Sequence, residues 1–270
     1  MDGGSDTTGA SSHWTGQNPR AEPMFRVTYF SNLASKEKLI MSHRVDQNTA
    51  GAANIPYRLD SQGKWTNTSN AINAINVVNV SSGDYASGSE CVVLGWDPED
   101  THTTNFWEEL ASVTLGSDGD VLSSGTIDAK KYLWVQAFIK NSGTSARYNT
   151  EMTFNGDTGS NYAERRSLDG GTDATSTSQS KIMNSGVTGS DDDLWCLNMF
   201  VVNNSATEKL CIGHGFDTYA GSGAGTAPSQ RFEKVAKWAN TSSQITNITI
   251  TNSDTSNYDA ISELRVWGSD

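Results

Sequence analysis

Short stretches in which apolar and polar residues alternate recur along the whole chain. Alternation with a period of two places successive side chains on opposite faces of an extended strand, and the apolar residues do not form the stripes of amphipathic helices. The pattern predicts strands over 106–115, 131–140, 148–154, 194–202, 208–214, 244–251 and 263–267. The intervening loops, such as Asn155-Gly156-Asp157, have the composition of hairpin turns. The sequence therefore predicts an all-β, antiparallel protein.

The range 131–140 has the strongest apolar character among these predicted strands. One side carries an aliphatic row, and the other mixes aromatic rings with Gln136 and Lys140. The aliphatic row consists of Leu133, Val135, Ala137 and Ile139. We expect this strand to be buried on most of both faces, and we expect 244–251 to be half exposed. The strands together fit a two-sheet, jelly-roll-like β-sandwich with about eight strands in a complete unit.

The chain contains an internal repeat. The stretch that begins at Lys64 returns at Lys237, and the two copies align without a gap as far as Asp97 and Asp270. Of these 34 aligned positions 14 are identical, which exceeds chance even in a chain of biased composition. Earlier matches are Pro56 and Arg58 with Pro228 and Arg231, and Glu37-Lys38-Leu39 and His43 with Glu208-Lys209-Leu210 and His214.

The repeat divides the chain into two unequal parts, because residues 98–168 have no counterpart upstream. We predict tandem β-sandwich repeats: an N-terminally incomplete one over 1–97 and a complete one over 98–270. The incomplete unit has equivalents of 208–214, 244–251 and 263–267 but none of the apolar strand 131–140. Each backbone group left buried and unpaired would cost about 1 to 3 kcal/mol. We therefore predict that strands from a neighbouring subunit, or residues upstream of Met1, fill the gap by β-strand complementation.

Charge and hydropathy exclude several classes of partner. The formal net charge of -12 repels phosphate backbones, and no basic stripe compensates for it, so we expect no nucleic-acid binding. No run approaches the roughly 18 apolar residues needed to span a bilayer, so we expect no membrane insertion. The first residues do not resemble a signal peptide, and general secretory export is not indicated.

The three cysteines are an odd number, which argues against a disulfide framework. They are Cys91, Cys196 and Cys211, and the internal alignment places them opposite Leu264, Phe25 and Ile40. We interpret them as small core hydrophobes rather than as a metal cluster.

Trp65 and Trp238 occupy the same repeat position, each after a lysine and two residues before an asparagine, Asn67 or Asn240. A tryptophan beside an amide is typical of a sugar-stacking platform, so these four residues are the candidate glycan-binding site. The alternative is that both tryptophans pack in the core or at its rim, which would also conserve the position in both copies.

His43 and His214 also share a repeat position, on the apolar register of their predicted strands. We interpret them as hydrogen-bonded structural histidines. No nucleophile motif accompanies them, and we predict no catalytic residue, no cofactor and no metal site. Acidic runs at 97–100, 118–120 and 191–193 would offer oxygen ligands to calcium, but they lack the spacing of known calcium loops, and solvated turns are the simpler interpretation.

Several of these elements together resemble repeat-containing, largely uncharacterised virion proteins of tailed phages, especially marine ones. The elements are 106–110, 159–163, Glu-Lys-Leu-x-x-x-His, Lys-Trp-x-Asn-Thr-Ser and 264–270. The resemblance implies a place on the virion surface, as a capsid-decorating or tail-associated structural protein that is not an enzyme. It also implies virion subunits as partners, with a homo-oligomer expected. The alternative function is a carbohydrate-binding module or adhesin that recognises host-surface glycans.

Overall fold

The computed structural model describes residues 22–79, 83–95, 105–142, 148–187, 194–218 and 230–270. Regular structure in these residues consists of antiparallel strands, so the all-β prediction is confirmed. The strands are β1 (Met24–Phe30), β2 (Lys38–Asp46), β3 (Tyr57–Trp65), β4 (Glu108–Thr114), β5 (Val121–Ser123), β6 (Tyr132–Lys140), β7 (Tyr148–Phe154), β8 (Tyr162–Leu168), β9 (Ala174–Gln179), β10 (Ile182–Val187), β11 (Leu194–Val202), β12 (Lys209–Thr218), β13 (Gln230–Trp238), β14 (Ile248–Asn252) and β15 (Glu263–Ser269).

The strands form three sheets. The largest has eight strands in the order β4-β15-β6-β11-β12-β13-β8-β9, and a second has four in the order β10-β7-β14-β5. The third contains β1, β2 and β3 in sequence order. The first two sheets share one buried apolar cluster and therefore form a β-sandwich, while the three-stranded sheet packs on the outer face of the eight-stranded one.

The main core lies between the eight-stranded and four-stranded sheets. The aliphatic row of β6 points into this core, whereas the side chains on the other face of β6 are only half buried. We expected both faces to be mostly buried, and this is correct only for the aliphatic face. Other residues of this core are Leu122, Met152, Phe154, Trp195, Leu197, Met199, Phe232, Trp238, Ile248, Ile250 and Leu264.

The complete unit has more strands than predicted, because 108–269 contains twelve rather than about eight. The strands β5, β8, β9, β10 and β13 had no predicted counterpart. In β8 and β13 charged residues interrupt the apolar pattern, since Glu164 and Lys234 are both buried and lie 3.4 Å apart across the strand pair. The two opposite charges form an ion pair inside the sheet, and the periodicity of apolar residues alone does not reveal such strands.

The loop after β7 contains a tight turn, but the hairpin predicted at this loop is wrong, because β7 and β8 do not pair with each other. Asn155 and Gly156 both have positive φ angles, of 52° and 67°. The Asp157 amide donates to the Phe154 carbonyl over 2.9 Å, which closes the turn. Because β7 and β8 belong to different sheets, this turn carries the chain from one sheet of the sandwich to the other.

The two units pack through equivalent outer faces. Val45 of β2 lies in an apolar cluster with Leu210 and Ile212 of β12 and Val235 of β13. The same face of β2 carries His43, which contacts His214 of β12 at the equivalent repeat position. The first unit is therefore held back to back against the second.

The pairing registers of the two units agree with the internal alignment. Phe25 pairs with Val45, and the aligned positions Cys196 and Phe216 also pair. The hairpin β2-β3 matches β12-β13 in the same way, since Lys38 pairs with Trp65 and Lys209 pairs with Trp238. This agreement is what a structural repeat requires.

Side-chain contacts recur at the same positions. The Lys38 ammonium donates to the carbonyls of Ala34, Lys36 and Asn67, and the Lys209 ammonium donates to those of Ser205, Thr207 and Asn240. Asn32 exchanges hydrogen bonds with the backbone of Ile72, as Asn203 does with Ile245. These contacts extend the likeness beyond the strands to the loops around them.

The likeness ends in the second half of the first unit. The stretches 66–79 and 83–95 contain no strand, although 75–79 aligns with β14 and 90–95 aligns with β15, so the strands predicted there are wrong. In the complete unit β14 and β15 pair with β4, β5, β6 and β7, which come from the part that has no upstream counterpart. Cys91 is consequently exposed rather than in a core, whereas Cys211 is buried as expected.

Candidate functional site

A cleft of about 360 Å³ lies between the two units, where the three-stranded sheet meets the outer face of the eight-stranded one. Its lining combines aromatic, apolar and polar side chains from both sheets. The residues are Val27, Tyr29, Met41 and His43 on one wall, Asn198, Phe200, Ile212 and His214 on the other, and Arg231, Phe232 and Glu233 at the end. A concave site with a few convergent polar groups is the usual form of a small-molecule binding site.

Two histidines meet inside this cleft. The rings of His43 and His214 are 4.3 Å apart between centroids and pack edge to face. His43 Nδ1 lies 2.9 Å from Asp60 Oδ1, as expected for a hydrogen-bonded structural histidine. Burial, together with the neighbouring His43, lowers the pKa of His214 to about 4. His214 is therefore neutral at physiological pH.

The carboxylate of Asp60 completes this group. Burial by itself would raise the pKa of Asp60, but the hydrogen bond from His43 and the positive charge of Arg58 outweigh it and hold the pKa below its ordinary value. A histidine paired with a carboxylate also occurs in nucleophilic catalysis, where its second nitrogen faces a hydroxyl or a thiol. Here the ring of His43 packs against another imidazole, an arrangement suited to packing two sheets together.

Arg58 joins the two units electrostatically. Its guanidinium donates to Glu233 of β13 over 2.7 Å and to Asp173 over 2.9 Å, and it lies 3.3 Å from Asp60 of its own hairpin. Its side chain is only 4% exposed. Arg165 also contacts Asp173, at 3.3 Å. A buried cation with several carboxylate partners fixes the relative position of the two sheets, because removing one partner would leave uncompensated charge.

A second buried ion pair secures the loop after β2. Lys237 and Glu208 are 3.2 Å apart, and the Lys237 ammonium also donates to the carbonyls of Gln47 and Thr49. Glu208 accepts a hydrogen bond from the Gly51 amide. Both members of this ion pair, Lys237 and Glu208, thus bind the loop that connects β2 to β3 to the second unit.

The structure places Trp238 in the core, at the last residue of β13. It is 1% exposed, and its Nε1 donates to Asp157 Oδ2 over 2.7 Å. Tyr162 stacks on the ring at a centroid distance of 6.4 Å, and the Lys209 ammonium lies 5.6 Å from its centroid. With both ring faces covered, Trp238 has the packing role that was the alternative to a sugar platform.

Trp65, at the equivalent position, is 41% exposed. The Lys38 ammonium lies 5.6 Å from its ring centroid, as in the second unit. The Asn67 side chain accepts hydrogen bonds from the amides of Ser69 and Asn70, and Asn240 caps its own turn in the same way. Both asparagines therefore order a turn, and of the four predicted glycan-binding residues only Trp65 presents a broad surface to a ligand.

A cluster of aromatic rings beside the cleft was not predicted as a site. Trp134 of β6 lies 4.9 Å from Trp267 of β15 and 5.8 Å from Phe200 of β11, and Trp107 packs against Trp134 and Phe200. Asn198 Oδ1 accepts a hydrogen bond from Trp134 Nε1. The sequence indicated this patch only through the aromatic residues on the second face of 131–140. It did not reveal that three other segments contribute rings to the same patch.

The structure adds little to the other predicted chemistry. The acidic runs 97–100 and 191–193 lie outside the described residues, and Asp118 accepts a hydrogen bond from the Ala260 amide. Within the described ranges no three His, Cys, Asp or Glu side chains group as metal ligands would.

The described part of the chain also has no helix long and apolar enough to cross a bilayer.

Comparison with known proteins does not assign the chain to a family. No protein-family description matches it, and no curated protein was found to match it.

Proposed function

We propose that this protein is a non-enzymatic structural component of a virion, capsid-decorating or tail-associated. It is held in place at the particle surface by contacts between β-sandwich units of several subunits, most simply other copies of itself. One observation carries the proposal: the second half of the first unit exposes apolar residues at positions that are strands of the core in the second unit.

The contrast between the two units is direct. In the second unit the alternate residues Ile248 and Ile250 of β14 and Leu264 and Val266 of β15 are buried. The aligned stretches of the first unit have the following exposed side chains: Ile75, Val77, Val78, Val92, Val93 and Leu94. An apolar surface of this kind typically marks an interaction site, because a monomer gains nothing from leaving it in water.

The back-to-back packing of the two units gives a second reason to propose assembly. Equivalent outer faces contact each other within one chain, through His43 and His214 and through the charges around Arg58. A fold whose repeats associate through their own surfaces is suited to a particle built from many copies of one sequence.

Sedimentation velocity over a wide concentration range tests the proposal, with the full chain and with the variant Val93→Asp/Leu94→Asp. Both side chains are exposed, so the variant should fold, and we expect its self-association constant to fall at least about tenfold, equivalent to about 1.4 kcal/mol. Ile261→Asp is the matched control, because Ile261 is exposed elsewhere on the second unit. A wild-type chain that stays monomeric throughout and does not bind virions would overturn the proposal.

Carbohydrate binding is a second candidate function, favoured by the cleft and by Trp65. Tyr29 is 46% exposed at the cleft wall, and Phe200 and Asn198 stand opposite it. Aromatic faces beside an amide suit the apolar and hydroxyl surfaces of a sugar. A glycan array should then show a ligand whose binding is lost in Tyr29→Ala or Trp65→Ala. Binding to no glycan, or binding unchanged in both variants, would reject this candidate.

A further inference from the structure

The complete unit shows which strand separates β11 from β15. Strand β6 lies between them and pairs with both, so that Ala137 is opposite Leu197 on one side and opposite Leu264 on the other. In the first unit the aligned positions are Arg26 of β1 and Cys91. Among the described residues, no strand occupies the place between these two positions.

The two segments that would flank such a strand, β1 and the 90–95 stretch, both contact Tyr132. β1 pairs with β2 alone within the described residues, which leaves its other edge without a strand neighbour there. Tyr132 touches both flanks, since its ring lies 6.4 Å from that of Phe25 and its hydroxyl donates to Glu90 over 2.8 Å. In the complete unit, the residues aligned with Phe25 and Glu90 both pair with Phe138 of β6.

We propose that one antiparallel strand of a partner polypeptide inserts between β1 and the 90–95 stretch, pairing with both as β6 pairs with β11 and β15. This inference rests on the proposed structural role and names the partner segment of that assembly. The pairing would give β1 its second neighbour and would order 90–95 as a strand, since extended segments gain backbone hydrogen bonds only beside another strand.

The residues that flank the site define the chemistry of the inserted strand. Its inward side chains would lie between Arg26 and Cys91, then between Thr28 and Val93, and then beside Phe30. The complete unit has Leu197 and Met199 where Arg26 and Thr28 stand, so the partner strand should carry a small or acidic residue opposite Arg26. The next two inward positions should be apolar, as Val135 and Leu133 are in β6.

Disulfide capture tests the proposed site on the full chain, using Cys91 as an exposed reporter. The probe is a synthetic peptide of residues 131–141 with Ala137→Cys and added terminal lysines, incubated with the protein in a buffer of reduced and oxidised glutathione, in which the oxidised form is reduced as the mixed disulfide forms. Directly opposed positions of an antiparallel pair are close enough for a disulfide, so the probe should be captured at Cys91. Mass spectrometry of the tryptic digest would locate the bond.

Three controls separate pairing from random thiol exchange. A peptide with Gln136→Cys in place of Ala137→Cys presents its thiol on the opposite face and should react at least about tenfold more slowly, in keeping with the two-residue period of a strand. The Ala137→Cys peptide with N-methyl groups on alternate amides keeps the side chains but cannot pair, and it should also react slowly. Cys91→Ser should abolish capture, because Cys211 is buried and Cys196 lies in β11, which already has β6 and β12 as neighbours.

Equal capture rates for the three peptides would overturn the proposed site, as would capture at Cys196 instead of Cys91. The experiment distinguishes this inference from the structural role on which it rests. If the chain self-associates but shows no selective capture, the structural role stands and the inserted strand is wrong. If capture is selective but the chain neither self-associates nor binds virions, the site is real and the structural role is wrong.

Discussion

The acid stability of the protein should depend on His214. Its pKa is lowered from 6.5 to about 4 by burial and by the neighbouring His43, with Arg58 acting in the same direction and with Asp60 and Glu233 opposing them. Between these two values the unfolded chain binds a proton that the folded chain does not bind, so stability falls as the pH falls from about 6.5 to about 4. Below that range the residue causes no further loss. The full shift corresponds to about 3 kcal/mol, of which about 2 kcal/mol should be lost by about pH 5.

Urea unfolding followed by tryptophan fluorescence, at about pH 7.5 and about pH 5, measures this effect, because most carboxylates remain ionised over that interval. The wild type should lose about 2 kcal/mol more than His214→Gln, which cannot gain the proton. For each protein the change in the free energy of unfolding between the two pH values is measured. Comparing these two changes cancels any cost of the substitution that does not depend on pH. An equal loss in both proteins would show that the His214 imidazole is not desolvated and would refute the reasoning.

Three further predictions concern the packing, and each is tested by equilibrium unfolding in urea. Trp238→Ala should lower the free energy of unfolding by about 3 to 5 kcal/mol, whereas the repeat-equivalent Trp65→Ala should cost less than about 1 kcal/mol; equal costs would contradict the difference in burial. Arg58→Ala should cost about 3 to 5 kcal/mol because it removes the buried cation that Asp60, Asp173 and Glu233 share, whereas Lys64→Ala, at a largely exposed ion pair, should cost less than about 1 kcal/mol. Gly215→Ala should destabilise the fold by about 1 to 3 kcal/mol or more, since the alanine methyl group would overlap the Phe232 ring and the Cys196 carbonyl oxygen. A variant as stable as the wild type would show that the strand pair can relax.

The sequence by itself determined the class of the fold and the position of its most apolar strand. The two-residue alternation over 131–140 is a local property, and the aliphatic row from Leu133 to Ile139 is buried in the core as that alternation requires. The same local signal was too weak for β8 and β13, because buried ion pairs such as Glu164 with Lys234 have the sequence pattern of an exposed surface.

Only the tertiary structure decided which member of each repeated pair is buried. Trp65 and Trp238 each follow a lysine and precede an Asn-Thr-Ser sequence by one residue, and each has a repeat-equivalent lysine beside its ring, yet one is 41% exposed and the other 1%. The difference comes from Asp157 and Tyr162, which belong to the part of the chain that has no upstream counterpart. Burial depends on residues that are distant in sequence, so alignment of the repeats identified equivalent positions but not their environments.

The cleft between the two units also results from tertiary packing. His43 and His214 were recognisable as a repeated pair, but their ring contact exists because the outer faces of two sheets pack back to back. Asp173 and Glu233 are more than a hundred residues from Arg58 in the sequence, and their attraction to it operates only once these segments are brought together. Sequence determined which side chains were available to the site, and the packing of the sheets decided which of them meet.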